Sequence, residues 1–182
     1  SKDKTLEKYT SVLRENVEEL NGLIQEILDF RKAEDAGFSH THIRRVSVSS
    51  LLRTQFEWFY PLSEQHQIQF KIDAPKELYW NTDSVYFKKI LANLISNAFK
   101  YTEDGGTVRI SLHEEENFLV LKVYNTGKGI EEADMQNIFD RYRILGTMDN
   151  DDNRQNTARN GLGLFICHSL VQSLGGKIDI ES

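Results

Sequence analysis

Apolar residues recur at Leu13, Val17, Leu20, Ile24 and Ile27, at alternating spacings of four and three, which predicts a long helix from about Thr5 to Lys32. Leu6 extends this seam upstream, and Leu23 and Phe30 broaden it. At 1.5 Å per residue the helix reaches roughly 40 Å. Its seam serves either the core of its own domain or a partner helix. About two heptads do not sustain a coiled coil alone, so the partner-helix reading implies a bundle with further helices. Ala33 to Ser47 reads as a connector containing the basic pair Arg44-Arg45. A helix from Ser50 to about Glu64 follows, capped by Ser47 or Ser49, and Pro61 is expected to bend or break its last turns.

Alternation from His66 to Ile72 predicts a half-buried strand, and Leu78 to Trp80 a second, short one. Asn81-Thr82-Asp83 opens a helix that runs to about Tyr101 and stops before Gly105-Gly106. Val108, Ile110 and Leu112, then Leu119, Leu121 and Val123, alternate on either side of an acidic turn, the pattern of a β-hairpin. A short helix around Met135 to Arg141 leads to a polar stretch, Gly146 to Asn160, long enough to be functional. Gly161 begins a last apolar helix to about Leu174, and Gly175-Gly176 precede a strand over Lys177 to Glu181. Strands separated by helices, with one antiparallel hairpin, predict an α+β sandwich whose helices layer one face of a mixed sheet.

Composition narrows the function. The 182 residues are 39% hydrophobic and 27% charged, which suits a packed core. Twenty-two Lys and Arg against 28 Asp and Glu give a net charge of −6, which argues against gripping nucleic acid by bulk charge and leaves room for a local phosphate pocket. Cys167 is the single cysteine, so neither an intrachain disulfide nor a multi-cysteine metal site is possible. No apolar run approaches the roughly 18 residues of a membrane span.

The helix ending at Tyr101 is unusual. Ile90, Leu91, Leu94, Ile95 and Ala98 form its apolar stripe, while Asn93, Asn97, Lys100 and Tyr101 share another face. Stacked asparagines are indifferent helix formers, so their pairing one turn apart calls for a reason. An amide oxygen suits Mg²⁺, which keeps waters and completes its octahedron from phosphates, and a lysine one turn on neutralises those phosphates. The alternative is a polar outer face. Two glycine loops weigh on the ligand side: Asn125-Thr126-Gly127-Lys128-Gly129-Ile130 directly after a strand, and Asn160-Gly161-Leu162-Gly163-Leu164 at a helix start, where backbone N–H groups attract phosphate. Cys167 and His168 in the last helix read as buried structural residues, and Asp149, Asp151 and Asp152 as a solvated loop.

In this order the motifs resemble the ATP-binding domain of sensor histidine kinases, of the Bergerat (GHKL) superfamily with DNA gyrase, mismatch-repair ATPases and the large heat-shock chaperone. Asn93 to Tyr101 resembles the asparagine box, Asn125 to Ile130 the first glycine box, Ile138-Phe139-Asp140-Arg141 the phenylalanine box and Gly161 to Leu164 the second glycine box, with the ATP lid between the last two. The resemblance implies a Bergerat-type two-layer sandwich that binds Mg·ATP. It implies Asn97 on Mg²⁺, Asn93 near the metal and phosphates, and Lys100 and Tyr101 on the nucleotide. Asn125, Gly127, Gly129, Ile130, Phe139, Arg159, Gly161, Leu162 and Gly163 would complete the nucleotide site, and Arg143 would reach the γ-phosphate. Asn93, Lys100 and Arg143 would serve catalysis. It further implies that residues 1–35 are the second helix of a dimerisation and phosphotransfer hairpin, 36–47 a linker and 48–182 the ATP-binding domain. The expected partners are a phosphoacceptor histidine helix, a response-regulator receiver domain and, through the N-terminal helix, a second copy. Neither nucleic acid nor membrane is an expected partner of this piece, which reads as the cytoplasmic part of a protein anchored in a bacterial inner membrane.

Three departures from the pattern matter. Asn125 stands where aspartate is usual, which exchanges a charge-assisted bond for a neutral one, a loss of about 1 kcal/mol or roughly fivefold in affinity. Its amide reads as a tolerated substitute, with relaxed discrimination against guanine as the alternative. Arg159-Asn160 replaces a glycine and a small hydroxyl residue. No histidine carries the phosphoacceptor pattern and no third glycine box follows, so the chain reads as a fragment that does not autophosphorylate alone. The rival functions are a degenerate ATP-binding module that dimerises and signals, and a GHKL ATPase of another class. The latter usually has glutamate at the place of Asn93, and its lack favours transfer to protein over hydrolysis.

Overall fold

The computed structural model describes residues 41–135, 137–140 and 163–182. The predicted N-terminal helix, most of the connector and the Gly146 to Asn160 stretch lie outside them. Strand β1 (Arg44–Ser47) opens the described chain and pairs antiparallel with β3 (Tyr79–Thr82), Val46 opposite Trp80. The end of the predicted connector is therefore a strand. Its basic pair concealed it, because Arg44 and Arg45 are exposed and only Val46 turns apolar surface inward.

Helix α1 (Val48–Gln65) starts two residues earlier than expected. Ser47 stands at the N-cap position, but its side chain makes no capping bond. The Ser47 hydroxyl bonds that of Ser50 at 2.8 Å, while the Ser49 hydroxyl accepts from the Leu78 N–H at 3.0 Å. The Leu78 carbonyl takes the Val48 N–H at 2.9 Å, so a distant segment supplies the acceptor that a capping side chain would. Pro61 does not end the helix, which continues to Gln65. The one bond it forgoes would have gone to Glu57, and both residues are exposed, where water serves the orphaned carbonyl.

Strand β2 (Gln69–Asp73) runs parallel to β4 (Thr107–Glu115), which forms an antiparallel hairpin with β5 (Phe118–Asn125), giving a mixed sheet in the order β2-β4-β5. Between β3 and β4 lies α2 (Ser84–Tyr101). Register puts Phe70, Val108 and Asn125 in one cross-strand row, then Ile72, Ile110 and Val123, all on the face that the helices cover. Against it pack Leu52 of α1 and Leu91, Ile95 and Phe99 of α2, with Phe70 and Phe99 edge-to-face at 4.9 Å.

The last part of the chain differs in detail from the pattern. Helix α3 spans only Glu132–Met135, and residues 137–140 form turns in which the Asn137 N–H bonds the Asp134 carbonyl and the Asp140 N–H bonds that of Asn137. Short side chains such as Asp and Asn compete for local backbone groups and favour turns over a continued helix. Helix α4 is described over Gly163–Ser173, and Gly161, its expected start, lies outside the described residues. Lys177 to Glu181 is not a strand here: Ile178 and Ile180 are half-buried between exposed neighbours, yet the stretch enters no ladder. Alternation reports one-sided burial, and a strand also needs a partner edge. The α+β expectation, a mixed sheet with helices on one face, stands.

Candidate functional site

Helix α2 is fixed at both ends. Asp83 caps its start, one carboxylate oxygen accepting from Val85 N (2.8 Å) and Tyr86 N (3.1 Å). At its end the Thr102 hydroxyl donates to the Ala98 carbonyl at 2.6 Å and the backbone turns extended. Burial of Phe87, Ile90, Leu91, Ile95, Ala98 and Phe99 against sheet and neighbours sets the helix rotation. That rotation leaves Asn93, Asn97 and Lys100 half-buried and Tyr101 exposed, with the Lys100 ammonium 5.8 Å from the Tyr101 ring centroid.

The second glycine motif comes to this face. Ile166 and Leu170 of α4 cluster with Ile90, flanked by Tyr86, Leu94 and Leu121. This packing brings the first turn of α4 over the asparagines. A methyl group at Gly163 would lie 3.4 Å from Asn93 Oδ1 and 3.9 Å from Asn97 Nδ2, in ordinary contact with both carboxamides, so the second glycine motif stands directly beside them. Behind it, Cys167 is fully buried and burial pushes its thiol up to about 12. His168 is not buried as expected. It is half-buried, stacks on Phe139 at 5.3 Å and meets the Gln172 amide at 3.2 Å, since its place in α4 points it toward the Phe139 turn and not into the Ile166 and Leu170 cluster.

The first glycine loop reaches the other end of α2. A methyl group at Gly127 would stand 2.5 Å from the Tyr101 carbonyl oxygen, a contact no side chain permits. The loop is locked to the sheet by Thr126, whose N–H bonds the Thr107 carbonyl at 3.0 Å and whose hydroxyl accepts from Thr107 N at 2.9 Å. Asn125 lies on the helix-facing side, its amide nitrogen donating to the Thr126 carbonyl at 3.1 Å. Gly129 adopts a φ of +73°, and Ile130 N bonds the Ser182 hydroxyl at 2.6 Å.

Sequence reasoning missed Gly106, whose added methyl would sit 2.5 Å from Thr102 Cγ2 and 2.7 Å from Thr126 Oγ1. The glycine pair read as a helix stop, and only the fold shows it wedged between helix end and loop. An open hollow lined by Glu103, Asp104, Gly106, Thr126, Gly127 and Lys128 flanks the loop on residues other than the asparagines. Arg143, Arg159, Gly161 and Leu162 lie outside the described residues. Among the described residues no group of three or more His, Cys, Asp or Glu could hold a metal by itself. No helix among them is long and apolar enough to cross a membrane.

Known proteins resemble this chain in sequence and in fold. The chain is 28% identical to the sensor protein IrlS of Burkholderia pseudomallei (strain K96243), over 100% of this chain and 38% of that protein. It is 30% identical to the sensor histidine kinase WalK of Bacillus subtilis (strain 168), over 96% of this chain and 28% of the relative. It thus spans well under half of either. Among solved structures, full-length ShkA in complex with AMPPNP superposes with a TM-score of 0.72 at 23% identity, over 93% of this chain and 34% of that one. ThkA in complex with the response regulator TrrA gives 0.71 at 22%, over 94% and 46%. At such identities the likeness is one of fold. The profile of the histidine kinase-, DNA gyrase B- and HSP90-like ATPases matches residues 82–182, from the last residue of β3 through both glycine motifs. With more than half of its length under that profile, and with sensor histidine kinases as its relatives, the chain belongs to the histidine kinase-, DNA gyrase B- and HSP90-like ATPase family.

Proposed function

We propose that this chain binds Mg·ATP between α2, the Gly127 loop and the start of α4, and presents the γ-phosphoryl group to a histidine on a dimerisation hairpin. The observation that carries the reading is Gly163 against Asn93 and Asn97: the second glycine motif comes within side-chain contact of both amides of α2. Helix N-termini favour anions, and amide oxygens are suitable ligands for a hard cation that keeps waters. The donor set therefore fits Mg²⁺, with Asn97 as its protein ligand and Asn93 beside it. When bound, the ion supplies charge neutralisation between phosphate oxygens.

The residues of the chain supply position. Lys100, one turn beyond Asn97, offsets phosphate charge, and Tyr101 and Ile130 border the nucleotide. Arg143 and Arg159 are proposed to add cationic contacts to the phosphates, and Phe139, stacked on His168, braces α4. One N–H of the Asn125 amide donates to the Thr126 carbonyl, which orients the carboxamide, and its oxygen is proposed to accept from the adenine amino group. That fits the tolerated-substitute reading of Asn125. Transfer to a histidine needs alignment and charge neutralisation more than acid–base groups, in keeping with a face of amides and one lysine.

The phosphoacceptor helix, a receiver domain and a second copy joined through the N-terminal helix are proposed partners, and the inner-membrane setting of the longer protein is likewise proposed. Nucleotide titration with and without Mg²⁺, on the chain and on Asn97→Ala, tests the reading. The expected result is magnesium-stimulated ATP binding that the variant loses. No binding at millimolar ATP, or stimulation unchanged in the variant, refutes it.

A further inference from the structure

Asp83 does more than cap α2. One oxygen takes the Val85 and Tyr86 N–H groups, and the other accepts from the backbone N–H of His42 at 2.8 Å, 41 residues earlier. The side chain is buried, and beside it the Arg44 guanidinium donates to the Ser84 hydroxyl at 3.0 Å. The β1–β3 ladder holds Arg44 to Ser47, starting two residues after His42. Burial pulls the Asp83 carboxyl upward, but its three N–H donors and the nearby His42 outweigh that and leave it below the usual carboxylate range. A cap alone needs none of this: serine, threonine or asparagine satisfies a helix start as well. A buried carboxylate is costly unless both oxygens are bonded, and the second oxygen is bonded to the chain that leads in from the N-terminal segment.

We propose that Asp83 is a positioning residue that ties the segment around His42 to the asparagine helix, so that the order of that segment and occupancy of the nucleotide cleft favour one another. Nine residues separate Ser84 from Asn93, about 14 Å of helix, and an intact helix carries a displacement of its first turn to that site. Linkage is reciprocal: whatever Asp83 does for nucleotide affinity, nucleotide must do for the His42 bond. The coupling rests on the nucleotide reading above; the tie itself does not.

Backbone amide exchange, followed by NMR on the full 182-residue chain, separates the two. Asp83→Asn keeps one oxygen for the cap but sets an NH₂ group against the His42 N–H. We expect His42 exchange to rise about tenfold or more, as loss of a bond to a charged acceptor requires, while Val85 and Tyr86 stay protected. Mg·ATP should slow His42 exchange in the parent chain and not in the variant. His42→Pro, which removes the donor and leaves the cap untouched, should lower ATP affinity as Asp83→Asn does, by about fivefold or more. Unchanged His42 exchange in Asp83→Asn overturns the tie. ATP that perturbs the α2 amides but leaves His42 exchange unmoved, or affinity unchanged in both variants, overturns the coupling while nucleotide binding stands. ATP that perturbs neither overturns the nucleotide reading and the coupling with it, and leaves the tie to be judged on exchange alone.

Discussion

Gly127 and Cys167 mark two limits of what one position tolerates. At Gly127 the obstacle is the backbone of another element, since an added methyl would stand 2.5 Å from the Tyr101 carbonyl oxygen. A carbonyl at a helix end does not swing aside as a side chain does, so Gly127→Ala should cost about 1–3 kcal/mol in urea unfolding. Cys167 is limited by solvation. Its thiol is fully buried and pushed up to about 12 from an ordinary 9.0. A thiol neutral in the fold but ionisable when unfolded contributes stability that is whole below about pH 9 and is lost as pH rises toward 12. Native chain at pH 8 should resist a thiol reagent that modifies the urea-unfolded chain at once; rapid labelling of the native form would contradict the burial. Both residues were visible in the sequence, but Gly127 stood out only as half of a Gly-x-Gly pair, and no local pattern named the carbonyl it meets.

At the scale of elements, α4 is the piece whose placement sets how close the second glycine motif lies to the asparagines. Leu170 is 3% exposed and packs with Ile166 on Ile90. Leu170→Ala should cost about 2–5 kcal/mol and loosen the helix whose first residue faces Asn93 and Asn97. Leu52→Ala in α1, at an equally buried position on the far side of α2's core, should cost as much stability and leave nucleotide affinity closer to that of the parent chain. Comparing ATP affinities of the two variants below their unfolding midpoints checks this; equal losses would mean that α4 packing has no special bearing on the site. The elements themselves were largely legible. Periodicity located α1, α2, β2, the hairpin and α4 because each buries one face of a regular repeat. It failed at β1, where one apolar residue among basic ones leaves no alternation to read. It failed also at 177–181, where alternation was present and a paired edge was not.

For the whole molecule, the sheet order β2-β4-β5 and the crossover through α2 bring the separate motifs together around α2. The parallel pairing of β2 with β4 sets Phe70 beside Val108, and the hairpin register then places Asn125 next in that row, on the helix side. Residue types, their order and their spacing by themselves determined the class of fold, the asparagine face and the two glycine loops, since helix and strand periods and backbone freedom are local properties. Tertiary structure alone decided that Gly163 faces Asn93, that Gly127 meets the end of the same helix, and that Asp83 serves two distant segments with one carboxylate. Contacts between residues 41 or 70 positions apart depend on how packed elements are rotated and stacked, and no local repeat encodes that.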